Sequence, residues 1–249
     1  MRGVRDGEIE EKEQDIVMKK SNKYSYVGGT RFMDNGSRNY DVAGYRLPSV
    51  TTILGKTKDD TFLKDWIKKK GKAEAERIKT ASATRGTSMH KYLENYVLGK
   101  GYEDLTELGQ ETKRMAEKVI ELGLAPVSGI FGSEVTLYYP GLYAGSTDLV
   151  GIHNDKETVI DFKQANRPKK EEWIGDYKLQ CAAYAMAHDQ VHGSNIEQCV
   201  IMVCTPDLYY QEFKIDGPNL RRAKHDFLRR LDLYHEQLRE EEEKPTYGT

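Results

Sequence analysis

Apolar residues along this chain change their period about halfway. Between Pro48 and Leu122 they recur at three- and four-residue steps; beyond Ile130 they alternate or run together. The first pattern predicts helices and the second strands. Short strands are expected first, at Tyr24–Val27 and Tyr40–Tyr45. Pro48-Ser49-Val50-Thr51-Thr52 reads as a turn into a helix, with Ser49 or Thr51 as the cap. Phe62 to Lys79 reads as a helix with Phe62, Trp66 and Ile67 apolar. Gly86-Thr87 opens another, in which Met89, Leu93, Tyr96 and Val97 recur at helical spacing and which Gly99 and Gly101 end. A further helix covers Thr106 to Leu122.

Ile130–Tyr138, Tyr143–Ile152 and Thr158–Lys163 then read as strands, the last two joined into a hairpin by His153-Asn154-Asp155-Lys156. Pro168 breaks the chain before a helix from Trp173 to Val191. Cys199–Cys204 and Leu208–Ile215 are strands split by Pro206-Asp207. Leu220, Ala223, Phe227, Leu231, Tyr234 and Leu238 mark a long amphipathic closing helix. No internal repeat is visible. The order predicts an α/β domain with a mixed sheet, a helix crossing it, and an N-terminal helical part over one side. Residues 1–23 are expected as a charged mobile leader. Residues 24–239 form a single domain (24–125 N-terminal strands and helices, 126–239 sheet core and closing helix), and 240–249 form an acidic flexible tail.

Composition narrows the classes. At 249 residues and 38% hydrophobic content the chain can build one sizeable core. No apolar run approaches a membrane span, and the charged start (Glu8, Glu10, Glu11, Lys12, Glu13) carries no secretion signal. Cys181, Cys199 and Cys204 sit in apolar stretches and lack a Cys-x-x-Cys pair, which suits buried free thiols in a reducing compartment. Net charge is −2, yet bases cluster at Lys64–Lys79, at Lys163–Lys170 and at Arg221–Arg230. Such patches either line a groove for a phosphate backbone or are solvated helix faces.

Candidate chemistry centres on Asp161-Phe162-Lys163. On a strand, Asp161 and Lys163 point the same way, so a carboxylate able to hold a cation stands beside an ammonium able to hold a water. A surface ion pair would look the same. Asp148 is an acid inside the apolar strand Ala144–Val150, where an unpaired carboxylate is costly. Across the hairpin it can meet Asp161 and share a divalent cation, or serve as a salt-bridge acid. Glu134 could add a third carboxylate or face solvent. His90 is a helical histidine, structural or functional, and Gly86-Thr87 at a helix start would offer N–H groups to phosphate. Gln180 and Tyr184, four apart, share a helix face.

The ordered set His90, Glu134, Gly145-x-x-Asp148, Asp161-x-Lys163, Gln180-x-x-x-Tyr184 resembles the PD-(D/E)xK nuclease superfamily, in its RecB-like exonuclease branch. Leu47–Leu54, Trp66 and Gly86-x-x-x-His90 look like the mitochondrial genome maintenance exonucleases and their bacteriophage relatives. The resemblance spans about Leu47 to Phe213. It implies a restriction-endonuclease-like mixed sheet flanked by helices. It implies a Mg²⁺- or Mn²⁺-dependent exonuclease acting on DNA, single-stranded by preference, in replication, recombination or degradation. His90, Asp148, Asp161 and the Phe162 carbonyl would be metal ligands. Lys163 would position the attacking water, with Asp161, Asp148 and Glu134 as its catalytic company. Gln180 and Tyr184 would support the site and the DNA phosphates, as would Arg85 and Thr87, and Ser49, Thr51 and Trp66 lie in the substrate-facing part. The cysteines that hold an iron–sulfur cluster in some relatives are missing, so no cluster is expected. A cytoplasmic location follows, the host's if the gene is a phage's. The alternatives are a structure-selective endonuclease on the same fold and a non-catalytic nucleic-acid-binding protein.

Overall fold

A computed structural model describes residues 18–243. Its centre is a six-stranded sheet in the order β1 (Lys19–Lys20), β5 (Val127–Tyr139), β6 (Tyr143–His153), β7 (Lys156–Gln164), β8 (Gln198–Cys204), β9 (Tyr210–Asp216). The β5–β6–β7 pairs and β8–β9 are antiparallel; β1–β5 and β7–β8 are parallel. A parallel pair needs a crossover, and α5 (Gly175–His192) supplies it between β7 and β8. The expected mixed α/β sheet flanked by helices is the observed architecture.

The central strands read as near-continuous apolar runs because both faces are buried. Val159, Cys199, Ile201 and Val203 face a core shared with α5, α1 (Val50–Lys56) and α6 (Gly217–Glu243). Their neighbours Ile160, Phe162, Val200, Met202 and Cys204 face a second core, shared with α3 (Lys72–Val97) and α4 (Glu107–Val119). The period of two therefore puts Asp161 and Lys163 on the first face and Phe162 on the second.

The front of the chain differs from its sequence reading. Tyr24–Val27 forms no strand; a separate antiparallel sheet is built instead from β2 (Gly29–Asp34), β3 (Ser37–Val42) and β4 (Tyr45–Pro48). The single strand expected at Tyr40–Tyr45 is cut by Ala43-Gly44, and β2 meets β3 at Asn35-Gly36. All four turn residues have positive φ (47°, 75°, 51° and 80° in chain order), the backbone of tight two-residue hairpins. The helix expected at Phe62–Lys79 breaks at Gly71 (φ 83°), where α2 (Thr61–Lys70) ends with Lys68, Lys69 and Lys70 in its last turn. Glycine takes that backbone at no steric cost, and the lysines suit the negative end of the helix dipole. Conversely Gly86-Thr87 opens nothing: α3 runs through it unbroken.

The ends differ too. Lys19–Lys20 pairs with Gly129–Ile130, inside the segment expected as a mobile leader. Residues 240–243 continue α6 rather than starting a tail. The remainders of both expectations, 1–17 and 244–249, lie outside the described residues. Among the described residues no helix is long and apolar enough to cross a membrane.

Candidate active site

The β6–β7 ladder runs from His153↔Lys156 to Leu149↔Ile160 and then stops. The next step of the same register would set Asp148 opposite Asp161. Here the strands part, and Asp148 takes over the missing backbone bond: the Phe162 N–H donates to its Oδ2 at 2.6 Å. Its other oxygen, Oδ1, lies 3.1 Å from His90 Nδ1 on α3. One carboxylate thus ties β7 to α3 at the mouth of the split.

Glu134 arrives from the other side. The β5–β6 register passes from Ser133↔Leu149 to Val135↔Thr147 and skips the position where Glu134 would face Asp148. At that position Glu134 has φ 52°, a left-handed backbone uncommon for any residue but glycine and costing about 1–3 kcal/mol. Such strain concentrates at functional sites. His90, Glu134 and Asp148 each offer a ligand atom, all within 4.8 Å of one another, and could hold a metal ion. The open reading of Glu134 at the sequence level resolves toward the cluster, although its side chain remains accessible.

Asp161 and Lys163 stand next to this group. Lys163 Nζ lies 2.5 Å from Asp161 Oδ2, a close ion pair. Asp161 is 2% exposed, and among the described residues its Oδ2 has no hydrogen-bond partner besides this ammonium. Burial pushes the Asp161 carboxyl up to about 6, against the pull of Lys163 and with the push of Asp148. Lys163 is raised: burial disfavours its charge, but Asp161 and Asp148 favour it more. Lost hydration, then repulsion from Asp148, takes Glu134 up to about 7. Burial also works against ionised Asp148 and protonated His90, yet their mutual attraction wins: Asp148 is lowered and His90 raised. Several carboxylates competing for little water, with ligand atoms of His90, Glu134 and Asp148 within 4.8 Å of one another, fit a site made for an added cation. The donor set, three carboxylates and an imidazole with no thiolate, suits a hard or borderline divalent ion.

The cluster opens into a cavity of about 630 Å³ lined also by Gln180, Tyr184, Ser49, Thr51 and Thr87. A second of about 480 Å³, sharing Gly86 and His90 with it, is lined by Trp66, Lys79 and Lys163. Gln180 Nε2 donates to Tyr184 Oη at 3.1 Å. Gly145 couples these two motifs in space. A Cβ there would lie 2.6 Å from Tyr184 Cε1 and 2.9 Å from its Oη. The glycine of Gly145-x-x-Asp148 makes room for the tyrosine of Gln180-x-x-x-Tyr184. Gly145→Ala is expected to destabilise the fold by about 1–3 kcal/mol, read by urea unfolding, and the loss should shrink in a Tyr184→Leu background.

Other expected positions are placed differently. Thr87 sits mid-helix with its Oγ1 donating to the Ala83 carbonyl at 3.1 Å, so no helix-start N–H group is on offer there. Arg85 bonds Glu111 (2.6 Å) and Asn166 (2.9 Å) and lines a different cavity. Its guanidinium is already engaged. Ser49 caps α1 through the Thr52 N–H and is 1% exposed. Phe162 contributes its N–H to Asp148. Arg31 and Arg38, from β2 and β3, line the large cavity and had no signal in periodicity or motif.

The chain is similar to an exonuclease. It is 27% identical over 184 residues to mitochondrial genome maintenance exonuclease 1 of Xenopus tropicalis, matching 69% of this chain and 52% of that protein. The chain thus spans about half the length of that curated relative. The similarity supports the relationship to PD-(D/E)xK nucleases read from the motifs. No family model matches. Among solved structures, a candidate exonuclease from Eubacterium rectale superposes with TM-score 0.46 at 12% identity, over 63% of this chain and 65% of that one. An alkaline exonuclease from Laribacter hongkongensis gives 0.30 at 16% identity, over 67% and 98%. At these values they say nothing of its chemistry.

Proposed function

We propose that this protein is a divalent-metal-dependent nuclease that hydrolyses phosphodiester bonds of DNA from a strand end, with a preference for single strands. The observation that carries the reading is the parting of β6 and β7 at Asp148 and Asp161, which gathers His90, Glu134 and Lys163 around two buried carboxylates. The end-directed activity and the DNA substrate are supported by the named activity of the Xenopus relative.

His90, Glu134 and Asp148 would hold the cation, with Asp161 adjoining. When bound, Mg²⁺ or Mn²⁺ supplies positive charge for the phosphoryl oxygens and acidifies water. Lys163 sets a fixed ammonium beside Asp161, where it orients the attacking water and offsets charge building on the phosphate. Asp148 keeps the His90 ring in place through Nδ1. Gln180 and Tyr184 set the cavity wall from α5, and Trp66 on α2 offers a ring for an unpaired base, an interaction worth ~1–3 kcal/mol.

The test is nucleotide release from end-labelled single-stranded DNA. Release is expected with Mn²⁺ or Mg²⁺ and should cease with chelator. Cleavage of a closed circular single strand would replace the exonuclease reading by the endonuclease one, and release undiminished by chelator would sink the metal assignment. Metal affinity carries a pH signature. Glu134 and Asp161 are raised carboxyls and must lose protons to bind, as must His90. Apparent Mn²⁺ affinity in calorimetry should therefore fall as pH drops from about 8 to about 5.5.

A further inference from the structure

The three-stranded sheet has two faces of different character. Arg31 is opposite Tyr40, and Met33 opposite Arg38, so Arg31, Arg38 and Tyr40 share one face with Val42 and Leu47. On that face Tyr40, Val42 and Leu47 pack with Ala144 of β6 into a small apolar core. Arg31, in the same cross-strand row as Tyr40 and Leu47, and Arg38, one row further on, line the cavity that holds His90, Glu134 and Asp148. The apolar contact seats the sheet and so keeps the two arginines at the cavity.

Both arginines are exposed, and among the described residues neither has a carboxylate within ion-pair distance. The contrast within the same sheet is informative. Arg46, on the outer face, pairs with Asp34 at 3.3 Å and stacks over Phe32 at 4.4 Å. Among the described residues the inner pair has neither a carboxylate nor a stacking ring as partner, and Arg31 has only the Tyr40 hydroxyl beside it.

Arg38 is also held unusually firmly. Its N–H donates to Thr52 Oγ1 at 3.0 Å, and its carbonyl accepts from Thr52 Oγ1 at 2.9 Å and from the Ser49 N–H at 3.0 Å. Ser49 Oγ in turn donates to Thr52 Oγ1 at 2.9 Å. The turn that carries Ser49 and Thr51, both of which line the cavity, thereby also clamps the backbone of Arg38 beside it. Fixing a backbone this way lowers the ordering cost of any contact its side chain makes.

We propose that Arg31 and Arg38 together bind one phosphate of the nucleic-acid strand and position it opposite the carboxylate cluster. The proposal rests on the nuclease reading for its substrate class. Two planar guanidinium forks match the oxygens of a phosphate, and a strand held there spans the cavity between the small sheet and the acids. Like charges are thereby divided: the arginines take a neighbouring phosphate while the acids and their cation take the scissile one.

The experiment is equilibrium binding of a short single-stranded deoxythymidine oligonucleotide in chelator, followed by fluorescence anisotropy over a range of salt. Both side chains are exposed, so the Arg31→Ala/Arg38→Ala protein is expected to fold with an unchanged melting temperature. Its affinity should fall roughly tenfold at low salt. The slope of log K against log salt should become shallower by about 0.7, the value for one single-strand phosphate contact. Lysine at both positions should restore the slope. A slope equal to wild type overturns the proposal, as does a loss of affinity matched by a fall in melting temperature. Because no bond is cut in this assay, the pair is judged separately from the nuclease reading, which stands or falls on nucleotide release.

Discussion

Lys163→Ala is expected to lower kcat for nucleotide release by roughly 10²–10³-fold, the cost of removing one preorganised charge from a reacting centre. The geometry predicts more than a simple loss. Asp161 is buried, and Lys163 Nζ is its close counter-charge at 2.5 Å. Without that ammonium only the weaker pull of His90 opposes the burial that already takes the carboxyl up to about 6. Asp161 is then expected to hold its proton to higher pH. The acid limb of the pH–rate profile should therefore move to higher pH in Lys163→Ala, and part of the lost rate should return under alkaline conditions. Single-turnover rates across pH, at saturating Mn²⁺, check this. A variant with wild-type rate and profile would remove Lys163 from the chemistry.

Asp148 is expected to show the other large effect, and two substitutions divide it. Asp148→Asn retains an oxygen for the Phe162 N–H and should fold normally, yet it loses the negative charge facing His90. Activity should drop at least as far as in Lys163→Ala, with Mn²⁺ affinity falling alongside. Asp148→Ala removes both the charge and the acceptor. It leaves the Phe162 N–H unpaired where the ladder has already ended, a cost of about 1–3 kcal/mol. In a chain of this size that lowers Tm by roughly 2–4 °C per kcal/mol. The pair of variants separates the catalytic role from the structural one. Equal stability of the two would show that the Phe162 bond does not hold the strands' ends, and full activity in Asp148→Asn would end the metal assignment.

Some of this architecture was readable in the residues, and the reason is locality. The turn His153–Lys156 sets the register of its hairpin, so thirteen residues of spacing suffice to place Asp148 and Asp161 as neighbours. Period-two alternation puts Asp161 and Lys163 on one face. The amphipathic spacing of Leu220 to Leu238 is a surface helix wherever it packs. By contrast, Gly71 and Gly86 carry the same local signal with opposite outcomes. Gly71 lies open to solvent-side space and ends α2, whereas Gly86 lies within α3, where an added Cβ would rest 3.5 Å from Gln164. Asn35-Gly36 and Ala43-Gly44 close hairpins that the apolar pattern of the sequence does not assign, and the seating of their small sheet on Ala144 has no local signal at all.

Taken alone, the chain's pattern of residues determined a mixed α/β sheet with helices on it, the hairpin that opposes Asp148 to Asp161, and the nuclease-like order of motifs. These depend on spacing along the backbone, which sequence carries directly. The tertiary structure decided the rest. It turned Glu134 toward Asp148 through a left-handed backbone, engaged Arg85 with Glu111, and carried Arg31 and Arg38 over the cavity. It also showed Gly145 to be the space that Tyr184 occupies. Each of these is a contact between segments far apart in the chain. Such contacts are settled by which surfaces pack together, and no local period records that choice.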